Sequence, residues 1–196
     1  MTHAINDEAL EILFRAAHTY NSWLDKPVTP ALLMALYDLM RWGPTAVNSC
    51  PARIVFLVTP AAKARLKPFL AESNVAKTMT APVTAILGYD LDFAKTLPKL
   101  FPHNPGAKDW YADPVVTEAN AFRNSSLQGG YFIVSARALG LDCGPMSGFD
   151  GEGVDKTFFA GTKVKSNFLC NLGYGDPSGV HSRGPRLSFD EACKIL

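Results

Sequence analysis

The chain has 196 residues, of which 47% are apolar, and its 19 basic and 18 acidic side chains give a formal net charge of +1. This composition supports one packed domain over residues 1–196 and excludes a disordered chain. The balanced charge disfavours nucleic acid and membrane surfaces as partners, and no apolar run approaches the roughly 18 residues of a membrane span.

The N-terminal stretch MTHAINDEALEILF places acidic residues before its first apolar cluster. It lacks the basic start and long apolar core of a signal peptide. The cysteines at positions 50, 143, 170 and 193 stand singly, without the CxxC or Cys/His spacing of a metal site. We therefore expect a cytoplasmic protein with reduced thiols and no metal.

Apolar residues at helical spacing predict an amphipathic helix over residues 6–18. A second helix is predicted over residues 30–41, with Thr29 as its N-cap and Gly43-Pro44 as its stop. Residues 53–59 then form a predicted strand. Its apolar residues are consecutive, which indicates burial on both faces.

The remaining elements alternate between helices and strands. Helices are predicted over residues 60–70 and 115–139, and buried strands over residues 83–89 and 167–174. The proline-rich stretch 98–114 is predicted to be a long loop or lid, and the extended C-terminal tail ends in a short amphipathic stretch from Ser188. Helices come first and then mix with strands, so we predict an α+β domain.

Two polar segments in the first half of the chain are candidates for ligand binding. The turn after the second helix carries Pro44, Thr45 and Asn48, which could offer hydroxyl, amide and backbone groups to a planar polar ligand. An ordinary helix-to-strand turn uses the same residues. Asn74 and Lys77 share one face of a helical turn and could bind the carbonyl and imide edge of a flavin or nucleobase. A solvated surface turn is the alternative.

Two further candidates lie in the second half. Ser147 and Gly148 belong to a glycine-containing loop whose backbone could approach a ligand closely and donate to a flavin ring nitrogen, or simply connect helices. Arg183 and Arg186 could bind a phosphate, or form a solvated basic tail. The thiol of Cys143 is a possible nucleophile, but we predict that it is a small buried apolar side chain. GxGxxG and GxxxxGK[ST] motifs are absent from the sequence.

In this order, these segments resemble the nitroreductase-like flavoprotein family over essentially the whole chain. The matching segments are residues 17–23, residues 44–51, the pair Asn74 and Lys77, and residues 173–177 with Arg183. They are similar, in turn, to the family's RRS segment, its PSxxN…P loop, its Asn and Lys near the flavin ring, and its closing strand with a phosphate arginine. Residues 17 and 18 are Ala and His where the family usually has at least one Arg, and Cys50 stands where many relatives carry Gln.

Longer segments resemble one branch of the family, the malonic semialdehyde reductases (3-hydroxypropanoate dehydrogenases) of uracil degradation. They are residues 42–45, 100–103, 124–129, 142–150, 166–170 and 185–192. The resemblance implies an NADH- or NADPH-dependent FMN enzyme that reduces malonic semialdehyde to 3-hydroxypropanoate in pyrimidine degradation. The alternatives are a generalist nitroaromatic or quinone reductase, and a flavin-binding protein without useful turnover.

The resemblance also implies an α+β nitroreductase-like fold, with a central mixed β-sheet flanked by helices, and a homodimer with FMN at its interface. It implies no catalytic side chain, because the flavin itself transfers the hydride. The implied cofactor-binding residues are His18, Thr19, Asn21, Pro44, Thr45, Asn48, Asn74, Lys77, Ser147, Gly148, Arg183 and Arg186.

Within that set, Arg183, His18 and Thr19 are expected at the phosphate, with Arg186 less important. Lys77 and Asn74 are expected at the pyrimidine edge of the ring. Ser147 and Gly148 are expected near N5, and the turn containing Pro44, Thr45 and Asn48 is expected to come from the partner chain. Because His18 stands where an arginine is usual, we expect FMN affinity to be lower or pH-dependent.

Overall fold

A computed structural model describes residues 3–196 and forms a sheet with helices on both faces. The strands are β1 (Ala52–Leu57), β2 (Val83–Asp90), β3 (Asp142–Met146) and β4 (Val164–Gly173). The helices are α1 (Asp7–Leu10), α2 (Pro30–Met40), α3 (Pro60–Leu66), α4 (Glu72–Thr80), α5 (Leu97–Leu100), α6 (Pro114–Ala138), α7 (Gly151–Phe158) and α8 (Phe189–Ala192). This is the α+β class that the sequence predicts.

The strand order is β1-β2-β4-β3, and every pair of neighbouring strands is antiparallel. Among the described residues, parallel pairing is limited to an isolated bridge between Thr19 and Cys143. The expectation of a mixed sheet is therefore wrong: the four strands form an antiparallel sheet, and the parallel bridge is isolated from their pairing.

The core lies on both faces of the sheet, as the consecutive apolar residues of the predicted strands indicate. In β2, Ala85 and Leu87 pack in a cluster with residues of α2 and α6, whereas Ile86 packs in a second cluster with residues of α3 and α7. Alternate side chains of a strand point to opposite faces, so both faces of β2 are covered by helices. No helix in the described part of the chain is long and apolar enough to cross a membrane.

Several predicted elements differ in detail. The helix predicted over residues 6–18 is the single turn α1 followed by a π-helical turn, Glu11–Arg15. The stretch 98–114 is not one open loop, because it contains the end of α5 and a 3-10 helix, Pro105–Tyr111, that packs on the core. The prediction also missed β3 and α7.

Small residues in the middle of α6 let the helix approach the sheet. A Cβ at Gly129 would lie 2.5 Å from the Phe168 ring, and Ser125 donates a hydrogen bond of 3.0 Å to the Gly88 carbonyl. These two residues therefore serve packing within the chain. Ser126 and Gly130 are exposed.

Candidate functional site

A basic cavity of about 360 Å³ lies between the N-terminal segment, the end of α6 and the C-terminal tail. It gathers His18, Thr19, Asn21, Arg183 and Arg186, which are five of the predicted site residues. The remaining lining residues are Phe14, Ala17, Arg137, His181, Ser182 and Gly184. Three arginines and two histidines thus face this cavity without a carboxylate among the lining residues, so it is suited to an anion.

Backbone carbonyls contact two of these side chains. Arg183 donates from Nη2 to the carbonyl oxygens of Arg15 (2.6 Å) and Ala17 (2.7 Å), and this contact attaches the C-terminal tail to the N-terminal segment. Nδ1 of His18 lies 2.8 Å from the Ala16 carbonyl oxygen. Among residues 3–196, Arg186 in contrast donates only within its own turn, to the carbonyls of Gly184 and Pro185. Arg183 is therefore the better positioned of the two tail arginines.

The N-terminal segment reaches this place because glycines leave room for it. The Tyr20 amide donates to the Cys143 carbonyl at 3.0 Å. A Cβ at Gly144 would lie 2.6 Å from the Tyr20 carbonyl oxygen, and one at Gly175 would overlap the Tyr20 ring. Neither contact is visible in sequence spacing, because both join residues far apart in the chain.

Asn74 and Gly148 form a second part of the site. Asn74 is buried in α4, and its Nδ2 donates to the Gly148 carbonyl oxygen at 2.8 Å. The Ala71 amide donates to the same oxygen at 3.0 Å. The amide of Asn74, which we predicted to face a flavin, thus fixes the backbone beside the exposed Ser147. Its oxygen accepts no hydrogen bond from the described residues and is free for a ligand N–H.

Lys77 is positioned through its backbone. Its carbonyl oxygen, near the end of α4, accepts hydrogen bonds from Trp23 Nε1 (3.1 Å) and Asn171 Nδ2 (3.3 Å). The buried Lys63 donates to the Met79 and Ala81 carbonyls beyond it, and burial lowers the pKa of Lys63. These donors satisfy carbonyls that a helix end leaves unpaired. Within residues 3–196 the Lys77 ammonium itself has no hydrogen-bond partner.

The turn containing Pro44, Thr45 and Asn48 is strained. Val47, Asn48 and Cys50 have φ values of 49°, 51° and 42°, in the left-handed region that disfavours residues other than glycine. Thr45 accepts from the Cys50 amide at 3.1 Å, and Asn48 Nδ2 donates to the Leu100 carbonyl at 2.9 Å. The side-chain amide that we predicted to face a ligand therefore binds α5.

This turn lies far from the basic cavity within one chain. The Ala46 amide donates to Asn124 Oδ1 at 2.8 Å in the middle of α6, whereas Arg137 is near its end. Thirteen residues of α-helix span about 20 Å. The structure thus brings together His18, Thr19, Asn21, Arg183 and Arg186, and separately Asn74, Ser147 and Gly148 with Lys77 nearby, but not Pro44, Thr45 and Asn48.

The cysteines support the interpretation of Cys143 as an apolar side chain. Cys143 and Cys170 are fully buried. Burial raises the pKa of Cys170 well above its ordinary value. Reactants cannot reach a fully buried thiol, so a nucleophilic role of Cys143 has no support here. No cluster of metal-ligating side chains occurs in the described part of the chain.

A family model described as "Nitroreductase family" matches residues 14–174. The chain belongs to the nitroreductase family. A relative from Caulobacter sp., provisionally named an NADH dehydrogenase/NAD(P)H nitroreductase, is 58% identical over 98% of both chains. One from Stenotrophomonas maltophilia, with the same kind of name, is 60% identical over 100% of both chains. The family that the sequence predicts is confirmed.

The fold comparison gives the same result. A provisionally assigned nitroreductase from Bacillus subtilis superposes with a TM-score of 0.88 at 20% identity, covering 97% of this chain and 100% of that chain. One from Exiguobacterium sibiricum, crystallised in complex with FMN, has a TM-score of 0.87 at 16% identity over 100% of both chains. The nitroreductase-like fold that the sequence predicts is confirmed.

Proposed function

We propose that this nitroreductase-family protein is an FMN-dependent NAD(P)H oxidoreductase. The observation that carries the proposal is the basic cavity, which has no carboxylate among its lining residues. The chain runs from this cavity to Trp23, whose Nε1 donates to the Lys77 carbonyl oxygen in α4, the helix that carries Asn74. The names of the Caulobacter and Stenotrophomonas relatives and the FMN in the Exiguobacterium structure support it. The chemistry that FMN supplies when bound is hydride transfer from NAD(P)H to an acceptor.

The residues present fit the phosphate and ring of FMN. In this proposal Arg183, His18 and Thr19 hold the phosphate, with Arg186 and Asn21 beside them. At Gly148 the backbone lies against Asn74, where a Cβ would come within 2.8 Å of the amide nitrogen, so the segment offers a bare backbone surface next to Ser147.

At the pyrimidine edge, the oxygen of Asn74 is available to accept from an imide N–H. The Lys77 ammonium would supply a positive charge, which stabilises negative charge on a reduced ring.

We further propose a homodimer, because one chain does not bring Pro44, Thr45 and Asn48 to the cavity. Large apolar side chains are exposed on and after α2, including Met34 (69%) and Trp42 (75%). A cavity of about 720 Å³ lies beside them, between α2 and β1. Exposed apolar area of this kind marks an interface. Since Asn48 binds the Leu100 carbonyl, the stretch 98–114 would accompany this turn into the partner's site.

The proposed hydride acceptor is malonic semialdehyde, because residues 142–150 and 124–129 resemble the malonic semialdehyde reductase branch. The carboxylate of this substrate requires a cationic side chain to bind it. The stretch 98–114 carries Lys99, His103 and Lys108, all exposed, which could pair with it when the lid covers a site. The proposal places the enzyme in the cytoplasm.

A second candidate is a generalist nitroaromatic or quinone reductase. The relatives' names favour it, and so does the exposed Trp110 on the same stretch, which offers an aromatic face for stacking. Stopped-flow reoxidation of the reduced, FMN-loaded protein separates the two. Rapid reoxidation by malonic semialdehyde supports the first, whereas rapid reoxidation by a nitroaromatic alone supports the second. If neither NADH nor NADPH reduces the bound FMN, the protein is a flavin-binding protein without useful turnover.

A further inference from the structure

We infer that Arg137, at the end of α6, is an additional phosphate-binding residue of the basic cavity. The inference rests on the proposed function and deepens it. Arg137 lines the cavity together with Arg183 and Arg186, although it is 46 positions before Arg183 in the chain. Its partial burial and its place on a 25-residue helix give it a firmer support than either tail arginine has.

The guanidinium of Arg137 has N–H donors that no described residue accepts. One terminal nitrogen, Nη1, donates to the Leu13 carbonyl oxygen at 3.0 Å. Its other nitrogens have no hydrogen-bond partner among the described residues. A guanidinium carries five N–H donors in a planar fork, so the contact with Leu13 orients the group and leaves an edge for a phosphate oxygen. Arg183 is held in a similar way, since its contacts with the described residues are made through Nη2.

The position of the cavity favours a cation at residue 137. The cavity lies at the carboxyl end of α6, where the helix dipole places partial negative charge. An anion bound there would be repelled unless a cation stood between it and the last turn. Arg137 belongs to that turn, as the basic residue nearest the helix end. Its charge offsets the dipole and makes this helix end compatible with a phosphate.

The competing explanation is that Arg137 only anchors the N-terminal segment through Leu13. Titrating FMN and riboflavin in parallel separates the two roles, because riboflavin has the same ring but no phosphate. In the native protein and in Arg137→Ala, we expect riboflavin to bind equally. FMN should bind about 10- to 100-fold more weakly to Arg137→Ala. Arg137→Lys, which keeps the charge, should recover part of the loss.

The matched control is Arg65→Ala. Arg65 also donates to a backbone carbonyl, that of Thr157, at 3.0 Å, but it lies outside the cavity. Its replacement should leave the affinities for both flavins unchanged. Should Arg137→Ala fold poorly, Arg137→Gln removes the charge but keeps most of the side-chain stem and a polar end. Equal losses of FMN and riboflavin affinity in the Arg137 variants, or no loss of either, would overturn the inference.

Failure of the proposed function gives a different result. If the native protein binds neither flavin, the cofactor proposal is wrong. Inorganic phosphate, titrated against native protein, Arg137→Gln and Arg65→Ala by thermal shift, then decides the role of Arg137. A smaller stabilisation of Arg137→Gln alone supports an anion contact at residue 137. Equal stabilisation of all three proteins rejects it.

Discussion

The side-chain amide of Asn74 donates to the Gly148 carbonyl oxygen at 2.8 Å and so joins α4 to the segment that follows β3. Two of the predicted ligand-binding residues are therefore hydrogen-bonded to each other. Asn74 is buried, and the Gly148 carbonyl oxygen accepts a second hydrogen bond from the Ala71 amide. A ligand beside Gly148 therefore meets a backbone that α4 fixes through both donors.

Gly148→Ala tests this relationship. The new Cβ would lie 2.8 Å from Asn74 Nδ2 and 3.3 Å from Ala71 Cβ, so α4 or the loop must move. We expect a loss of about 1–3 kcal/mol in the free energy of unfolding, measured in urea, and weaker FMN binding. Gly130→Ala is the control, since a Cβ there meets nothing within 4 Å and should stabilise α6 by about 0.5–1 kcal/mol. Unchanged stability and binding in Gly148→Ala would contradict the packing argument.

The two tail arginines should differ in their effect on FMN binding. Arg183 is positioned by two carbonyls of the N-terminal segment, whereas the hydrogen bonds of Arg186 within the described part of the chain stay in its own turn. Loss of a hydrogen bond to a charged group costs about 1.5–3 kcal/mol. Arg183→Ala should therefore weaken FMN binding by roughly 10- to 150-fold, and Arg186→Ala by much less. Flavin fluorescence quenching measures both, and equal losses would remove the distinction.

Asn171 and Trp23 should contribute unequally to stability. Asn171 is fully buried and also accepts from Thr84 at 2.7 Å, so its removal leaves several buried polar groups unpaired. We expect Asn171→Ala to cost about 3 kcal/mol or more in unfolding free energy. Trp23→Phe removes one N–H and keeps an aromatic ring, so about 1 kcal/mol is expected. Urea unfolding of both variants gives the comparison, and similar losses would show that the network around Lys77 is less important.

A pH-dependent contribution to stability is expected at Asp92. Hydrogen bonds from Lys95 and Lys163 lower the pKa of its carboxyl group. Because the pKa is lower in the folded state than in the unfolded chain, the stabilisation is complete above the unfolded value and disappears as pH falls through the folded value. Asp92→Asn should thus lower the melting temperature at neutral pH, and the difference should vanish in acid.

The matched control for this pH effect is Glu152→Gln, which breaks an exposed pair with Lys156. Exposed pairs contribute little, so its effect at neutral pH should be smaller. A difference between native protein and Asp92→Asn that persists unchanged below the acidic transition would contradict the assignment.

Sequence patterns predicted the helices that have clear local start and stop signals and the strands that consist of a continuous apolar run. α6 begins at the Pro114 that follows its cap, Asp113, and ends next to the predicted boundary, and β2 matches its apolar run. β3 was missed because Gly144 and Pro145 are poor strand formers. They are accepted there because β4 pairs with this strand and the Tyr20 backbone approaches Gly144 closely.

The sequence predicts candidate site residues but not their arrangement. The two tail arginines are phosphate candidates by their chemistry, and the family resemblance singles out Arg183, whereas Arg137 carries no sequence signal, since many helices end in an arginine. The part played by Asn74 depends on a carbonyl 74 positions away. Contacts of this range are set by how α4, β3 and the N-terminal segment pack, which periodicity does not report.

The contact of Arg183 with the carbonyls of Arg15 and Ala17 ties the stability of one end of the chain to that of the other. Neither end has much regular structure of its own, since residues 16–29 contain no helix and residues 181–188 form neither helix nor strand. The N-terminal segment is also held by the hydrogen bonds of Tyr20 to Cys143 and of Trp23 to Lys77, so the tail depends on this segment more than the segment depends on the tail. An anion bound between them would therefore protect the peptide bonds after Arg15 and Arg183 from trypsin together, and the bond after Arg183 would be the more readily cut without it.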